Sequence, residues 1–105
     1  MSSPKEIAPG IAVTAQPDAA GIAGLAGQGF RTIINNRPDG EESGQIPASV
    51  ARSETERLGL VYVHIPVTSG TITAADVAAF DRAVRESPKP IVAHCRSGTR
   101  TYLLW

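Results

Sequence analysis

Apolar residues arrive along this chain in two alternating spacings. Short continuous bursts suit strands, and stretches where they recur every third or fourth position suit helices. Lys5 to Ala8 and Ile11 to Ala15 are two short strands around a Pro9-Gly10 turn. From Asp18 to Gln28, the side chains of Ile22, Leu25 and Ala26 share one helical face. Pro17 sits near the first helical position, and Gly29 is placed to end the helix in a left-handed conformation. Gly21, Gly24 and Gly27 predict close helix packing through small residues. A nucleotide loop is not indicated, because the G-x-G-x-x-G order and its preceding strand are missing.

Phe30 to Asn35 is a β-rich run suited to a central strand. Asn36 to Gln45 follows as a polar loop crowded with turn formers. Val50, Ala51 and Leu58 among charges predict an amphipathic helix over Pro47 to Leu58, stopped by Gly59. Leu60 to Pro66 is nearly all apolar and predicts a strand covered on both faces, with Thr68 to Thr71 as the loop after it. His64, inside that run, is expected to be a packed or hydrogen-bonded histidine. Thr73 followed by Asp76 resembles a capping box, and Val77, Phe80, Ala83 and Val84 form the stripe of the next helix. Pro88 and Pro90 forbid its continuation. Ile91-Val92-Ala93 is the last strand, and Tyr102 to Trp105 reads as the opening of a final helix. Alternation of this kind predicts an α/β fold, a mainly parallel central sheet flanked by helices on both faces.

Composition narrows the function classes. The 105 residues hold one core and not two, so residues 1–105 are expected to form a single domain. The chain stops about a turn after its most chemically pointed loop, so the domain is expected to be truncated at its C-terminus. Ten basic and ten acidic residues cancel, and with two Phe, two Tyr and one Trp there is little to stack on bases, so no nucleic-acid partner is expected. No apolar run approaches ~18 residues, so no membrane span is expected. The start, Met1-Ser2-Ser3-Pro4-Lys5-Glu6, lacks the apolar core of a signal peptide. A lone cysteine fits a reducing cytoplasm. One cysteine and two histidines make no credible metal-ligand set, and no cofactor is called for.

That cysteine lies in the run His94-Cys95-Arg96-Ser97-Gly98-Thr99-Arg100-Thr101, between the last strand and the last helix. A strand, a tight loop and a helix start in that order form a cradle for anions, because successive backbone N–H groups turn inward. A thiol there ionises easily. Arg100 offers a planar fork of donors to a tetrahedral oxyanion, and Arg96 adds positive charge at the entrance. Ser97 and Thr101 are placed to donate to the sulfur or to brace the loop, with Gly98 and Thr99 completing it. His94 is expected to shape the loop and not to act as a base. The polar loop after the Phe30–Asn35 strand should face this cradle, since loops at the carboxyl ends of parallel strands line the ligand crevice. Arg37 could help to bind the anion there, and Asp39, Glu41 or Glu42 could supply a carboxylate; for each acid taken singly, a solvated turn residue is the plainer reading.

His-Cys, a glycine-containing loop and a closing Arg-Thr resemble the signature of cysteine-dependent phosphatases. The spacing departs from it, because four residues separate Cys95 from Arg100, one fewer than in tyrosine and dual-specificity phosphatases. Cys-Arg-x-Gly-x-Arg is instead similar to the loop of rhodanese sulfurtransferases. A wider match runs through Ile11-Ala12-Val13-Thr14-Ala15-Gln16-Pro17, Ile33 to Glu42, His64-Ile65-Pro66-Val67, Ile72-Thr73 and Ala93 to Arg100. These segments resemble the phosphatase-like domain of beta-lactamase-hydrolase-like proteins. The resemblance implies a cysteine-phosphatase-like fold of the dual-specificity type, an association with sulfur transfer, and a metallo-hydrolase domain fused to this one or acting with it.

Two enzymatic functions and one sensory function follow as expectations. In the first, Cys95 takes the outer sulfur of thiosulfate or a persulfide and passes it to a thiol acceptor. In the second, Cys95 hydrolyses a phosphate ester through phosphocysteine, for which a carboxylic acid should protonate the leaving group. No carboxylate lies in Val67 to Thr71, and Asp76 is better explained as a helix cap, so sulfur transfer is the first expectation. In the third, Cys95 is an exposed thiol that is merely oxidised or persulfidated.

Overall fold

The computed structural model describes residues 4–105; Met1, Ser2 and Ser3, part of the polar start noted above, lie outside the described residues. Five strands form one sheet: β1 (Lys5–Ala8), β2 (Ile11–Thr14), β3 (Thr32–Asn35), β4 (Val61–His64) and β5 (Ile91–His94). Four helices connect or follow them: α1 (Ala19–Gly27), α2 (Ala48–Arg57), α3 (Ala74–Glu86) and α4 (Thr99–Leu104). The strand order is β1-β2-β5-β3-β4. Only β1, joined to β2 through the Pro9-Gly10 turn, runs antiparallel to its neighbour. Parallel neighbours need long crossovers, and α1, α2 and α3 supply them.

Sheet register fixes where the chemistry can be. Thr14 and Asn35 both pair with His94, and Asn35 pairs with His64. The four parallel strands therefore end level, and the segments that follow them emerge along one edge. That edge is where ligands bind in sheets of this type.

Both faces of the sheet are covered, as the alternation requires. Ile11, Ile34, Ile91 and Ala93 pack with Phe80 and Val84 of α3, Leu104 of α4 and Val67. On the other face Ala12, Ile33 and Val92 pack with Ile22 and Leu25 of α1 and Ala51 of α2. Burying a side chain of the Phe80 or Ile33 class stabilises the fold by roughly 1.5–3 kcal/mol. β5 lies at the centre, and its Ile91, Val92 and Ala93 are wholly buried. The strand that leads into the cysteine loop is thus the most tightly held in the sheet.

Thr73 and Asp76 make a complete capping box at the start of α3. Several local expectations need correcting. Pro17 stands outside α1, whose N-cap is Asp18, accepting a hydrogen bond from Gly21 N at 2.7 Å. Gly29 does take a left-handed φ of 95°. Gly24 and Gly27, however, face open space, so they do not serve close packing. β4 is an edge strand, not one covered on both faces: it pairs only with β3, and Val61 is 41% exposed. Val50 of α2 and Val77 of α3 also point outward, leaving the cores to Ala48, Ala51 and Thr55 and to Phe80 and Val84. The last helix begins at Thr99, earlier than Tyr102.

Candidate active site

Cys95 follows β5 directly and sits on the floor of the loop, 1% exposed. Gly98 takes a φ of 100°, a left-handed conformation that glycine alone adopts without strain, and this turns its N–H onto the Cys95 sulfur at 3.1 Å. A side chain at Gly98 would also press on Val13 Cγ1 at 3.2 Å. Burial raises the thiol pKa, but backbone N–H groups of Thr101, Gly98, Ser97 and Arg100 together outweigh it. The net shift is downward. The same amides that hold a thiolate are oriented to hold an anion brought up against it.

The polar loop after β3 does meet the cradle, and of its three candidate carboxylates it is Glu41 that makes the contact. Glu41 Oε2 accepts from Arg100 Nη1 at 2.6 Å and Oε1 accepts from Arg100 Nη2 at 2.8 Å. The second hydrogen on Nη1 goes to the Val67 carbonyl at 3.0 Å. Three of the five guanidinium N–H groups are thereby committed. The two left over are on Nε and Nη2, which share one edge of the plane, and together they form a fork for an oxyanion. Glu41 therefore holds the arginine end-on and leaves its side edge uncommitted.

Arg37 extends the network. Its Nε donates to Glu41 Oε1 at 2.9 Å and its Nη2 donates to Glu42 Oε1 at 3.1 Å. Arg96 stands 3.5 Å from Glu42 Oε2 with its side chain 68% exposed, so the entrance charge is where the sequence placed it. A cleft of about 480 Å³ opens here, lined by Arg37, Glu41, Arg96, Ser97, Thr99 and Arg100 among others.

Other candidates turn out to support the loop. Thr101 does not donate to the sulfur; its hydroxyl donates to Asn36 Oδ1 at 2.9 Å. Ser97 and Thr99 hydroxyls lie 3.2 Å apart and brace each other. Asp39 is corrected from accessory carboxylate to helix cap, its Oδ1 accepting from Ala48 N at 2.8 Å. His94 is buried and its pKa falls to about 4, chiefly through desolvation, so the ring is neutral and cannot serve as a charged group; Nδ1 lies 3.3 Å from the Cys95 carbonyl. His64 Nε2 lies 2.9 Å from the Arg37 carbonyl, a hydrogen-bonded histidine as expected. Cys95 is not the exposed thiol that a sensor would present. Asn36 was missed altogether: fully buried, it ties the loop after β3 to the His94 carbonyl through its own N–H (2.7 Å) and to the Ile65 carbonyl through Nδ2 (3.1 Å). Its place directly after a strand's carboxyl end, on the ligand edge, was the available signal.

The Glu41 pair makes stability depend on pH. Hydrogen bonds from Arg100 foremost, aided by Arg37 and opposed by burial, lower the Glu41 pKa from 4.5 to about 2. Its folded value lies below its unfolded one, so the stabilisation is present above the unfolded pKa and lost as pH falls toward the folded one. Because Glu41 is exposed and its ion pair is screened by solvent, urea unfolding at stepped pH should show about 1 kcal/mol lost from this group between about pH 5 and pH 2. Glu41→Gln should be less stable at neutral pH and lack that portion of the acid slope. An unchanged slope would assign it to other carboxylates.

Comparison with known proteins places this geometry. The family model described as beta-lactamase hydrolase-like protein, phosphatase-like domain, matches residues 5–105. The beta-lactamase hydrolase-like protein of Agrobacterium fabrum is 42% identical over 95 residues, covering 90% of this chain and 22% of that protein. This chain thus spans about a fifth of the length of the curated relatives it matches. Among solved structures, a proposed phosphatase from Neisseria meningitidis superposes with a TM-score of 0.89 at 34% identity, covering 95% of this chain and 71% of that one. TpbA of P. aeruginosa, crystallised with phosphotyrosine, superposes with a TM-score of 0.68 at 20% identity, covering 96% and 58%, a likeness of fold. The fold is that of the cysteine phosphatases, as the resemblance implied.

Proposed function

The chain belongs to the family of phosphatase-like domains of beta-lactamase hydrolase-like proteins, and from that premise we propose that it is a cysteine-dependent phosphatase. The observation that carries this is the unclaimed edge of Arg100, two parallel donors beside a thiol whose pKa the loop amides lower. Cys95 thiolate attacks phosphorus, and a phosphocysteine forms as the leaving oxygen departs. Water then breaks the S–P bond and returns the thiolate with inorganic phosphate. Loop amides and the Arg100 fork hold the equatorial oxygens, and such transfer depends on positioning and charge stabilisation. This reverses the order of the two enzymatic expectations, because the family is described as phosphatase-like and the Neisseria neighbour as a proposed phosphatase.

Sulfur transfer stands as a second proposal on one observation. Glu41, which overlooks the cradle, is held as a carboxylate by Arg100 and Arg37 and serves as a poor acid there, and Glu42 accepts from Arg37. Sulfite and low-pKa thiols leave as anions and need no acid. No cofactor enters either mechanism.

A paired assay separates the two, with Cys95→Ser as the control. One arm follows phosphate released from an aryl phosphate; the other follows sulfite released from thiosulfate with a thiol acceptor. Cys95-dependent phosphate release is the expected outcome. Sulfite release alone would replace phosphatase activity with sulfur transfer.

A further inference from the structure

An ordinary phosphate monoester leaves as an alkoxide or phenolate and needs a proton donor. Among the described residues, the carboxylates around the cradle are all otherwise employed. Glu41 is held as a base by Arg100 and Arg37, and Glu42 accepts from Arg37. Asp39 caps α2, and Asp76 caps α3. The loop after β4 contributes Thr68, Ser69 and Thr71, whose hydroxyls do not protonate an alkoxide at neutral pH.

Cations, by contrast, are in excess at the entrance. Arg37 is 3% exposed in its side chain, and no acceptor lies on its Nη1 among the described residues. The exposed Arg96 makes only the 3.5 Å approach to Glu42. Both line a second cleft of about 410 Å³, which also holds Gln16, Gln45 and two acids, Glu42 and the α1 cap Asp18. Two guanidinium groups with donors to spare thus line both clefts beside the cradle.

We infer that the substrates are phosphoanhydrides, whose leaving group is itself a phosphate that departs as an anion and is received by Arg96 and Arg37. The inference rests on the phosphatase function proposed above and names its substrate class. Cys95 thiolate attacks the terminal phosphorus, the S–P bond forms, and the bridging P–O bond breaks with its electron pair on the departing phosphate. No proton is required at that step. Water then attacks the phosphocysteine, the S–P bond breaks, and the water's proton passes to solvent or to the product phosphate.

The test compares inorganic pyrophosphate with phenyl phosphate, whose leaving phenol has a pKa of about 10 like tyrosine's, using the whole protein and Cys95→Ser as control. Pyrophosphate should be turned over with kcat/KM at least ~100-fold higher. Arg96→Ala alters an exposed side chain and should fold normally. It should cut pyrophosphate turnover about tenfold more than phenyl phosphate turnover, the loss of one charge-assisted contact to the departing phosphate. The pH profile should lack an alkaline limb from an essential acid. Equal turnover of both substrates, an alkaline limb, or an equal effect of Arg96→Ala on both would overturn the substrate class and leave phosphatase activity intact. Absence of Cys95-dependent turnover on either would overturn both.

Discussion

Cys95→Ser should lower kcat/KM on any substrate of this site by about 10⁴-fold or more, the scale on which removal of a covalent nucleophile acts. Serine matches the thiol in shape and can accept from Gly98 N, the donor now 3.1 Å from the sulfur. What it loses is ionisation. The four backbone N–H groups that favour the thiolate cannot bring a serine hydroxyl near ionisation at neutral pH, and neutral His94 offers no base to assist. The thermal midpoint should move by only a few degrees, because the buried volume hardly changes. Activity and melting measured on the same preparation therefore separate nucleophile from scaffold. Activity retained within tenfold of wild type would refute covalent catalysis for either proposed reaction.

The parts of this site that were readable in the sequence are those built from neighbours along the chain. Cys95, Gly98 and Arg100 lie within six residues, between a strand of three apolar residues and a helix, so local rules suffice to predict a cradle and a depressed thiol pKa. The α3 capping box is local too, with its two members three residues apart. Glu41 is different. It lies 59 residues from Arg100, in a loop where Asp39, Glu41 and Glu42 are chemically alike. One caps a helix, one grips Arg100 and one stands half exposed, and the tertiary fold decides which. The same limit explains β4. Its apolar run matches a buried strand, but strand order is a property of the whole sheet, and order β1-β2-β5-β3-β4 leaves it at an edge. Apolar Val61 is then exposed because, among the described residues, no strand pairs with the outer side of β4.

Arg100→Lys should lower kcat/KM by about 10³-fold, with the positive charge unchanged. The argument is a count of donors. Arginine has five N–H groups in a fixed plane; here two serve Glu41, one serves the Val67 carbonyl, and the remaining two are left as a fork for the proposed oxyanion. Lysine has three donors on one nitrogen and no fork. A lysine that reaches Glu41 and the Val67 carbonyl has one donor left, pointed wherever the other two permit. Removal of a single preorganised donor to a developing oxyanion costs about 10²–10³ in rate, and here the second of a bidentate pair goes with it. The loss should fall on kcat more than on KM, since Arg96 and Arg37 still attract the anion. Arg100→Ala is the poorer test, because it leaves the Glu41 carboxylate with Arg37 alone and disturbs folding as well as catalysis. A lysine variant within tenfold of wild type would mean that charge alone is needed at this position, and the two free donors of Arg100 would then have no part in the reaction.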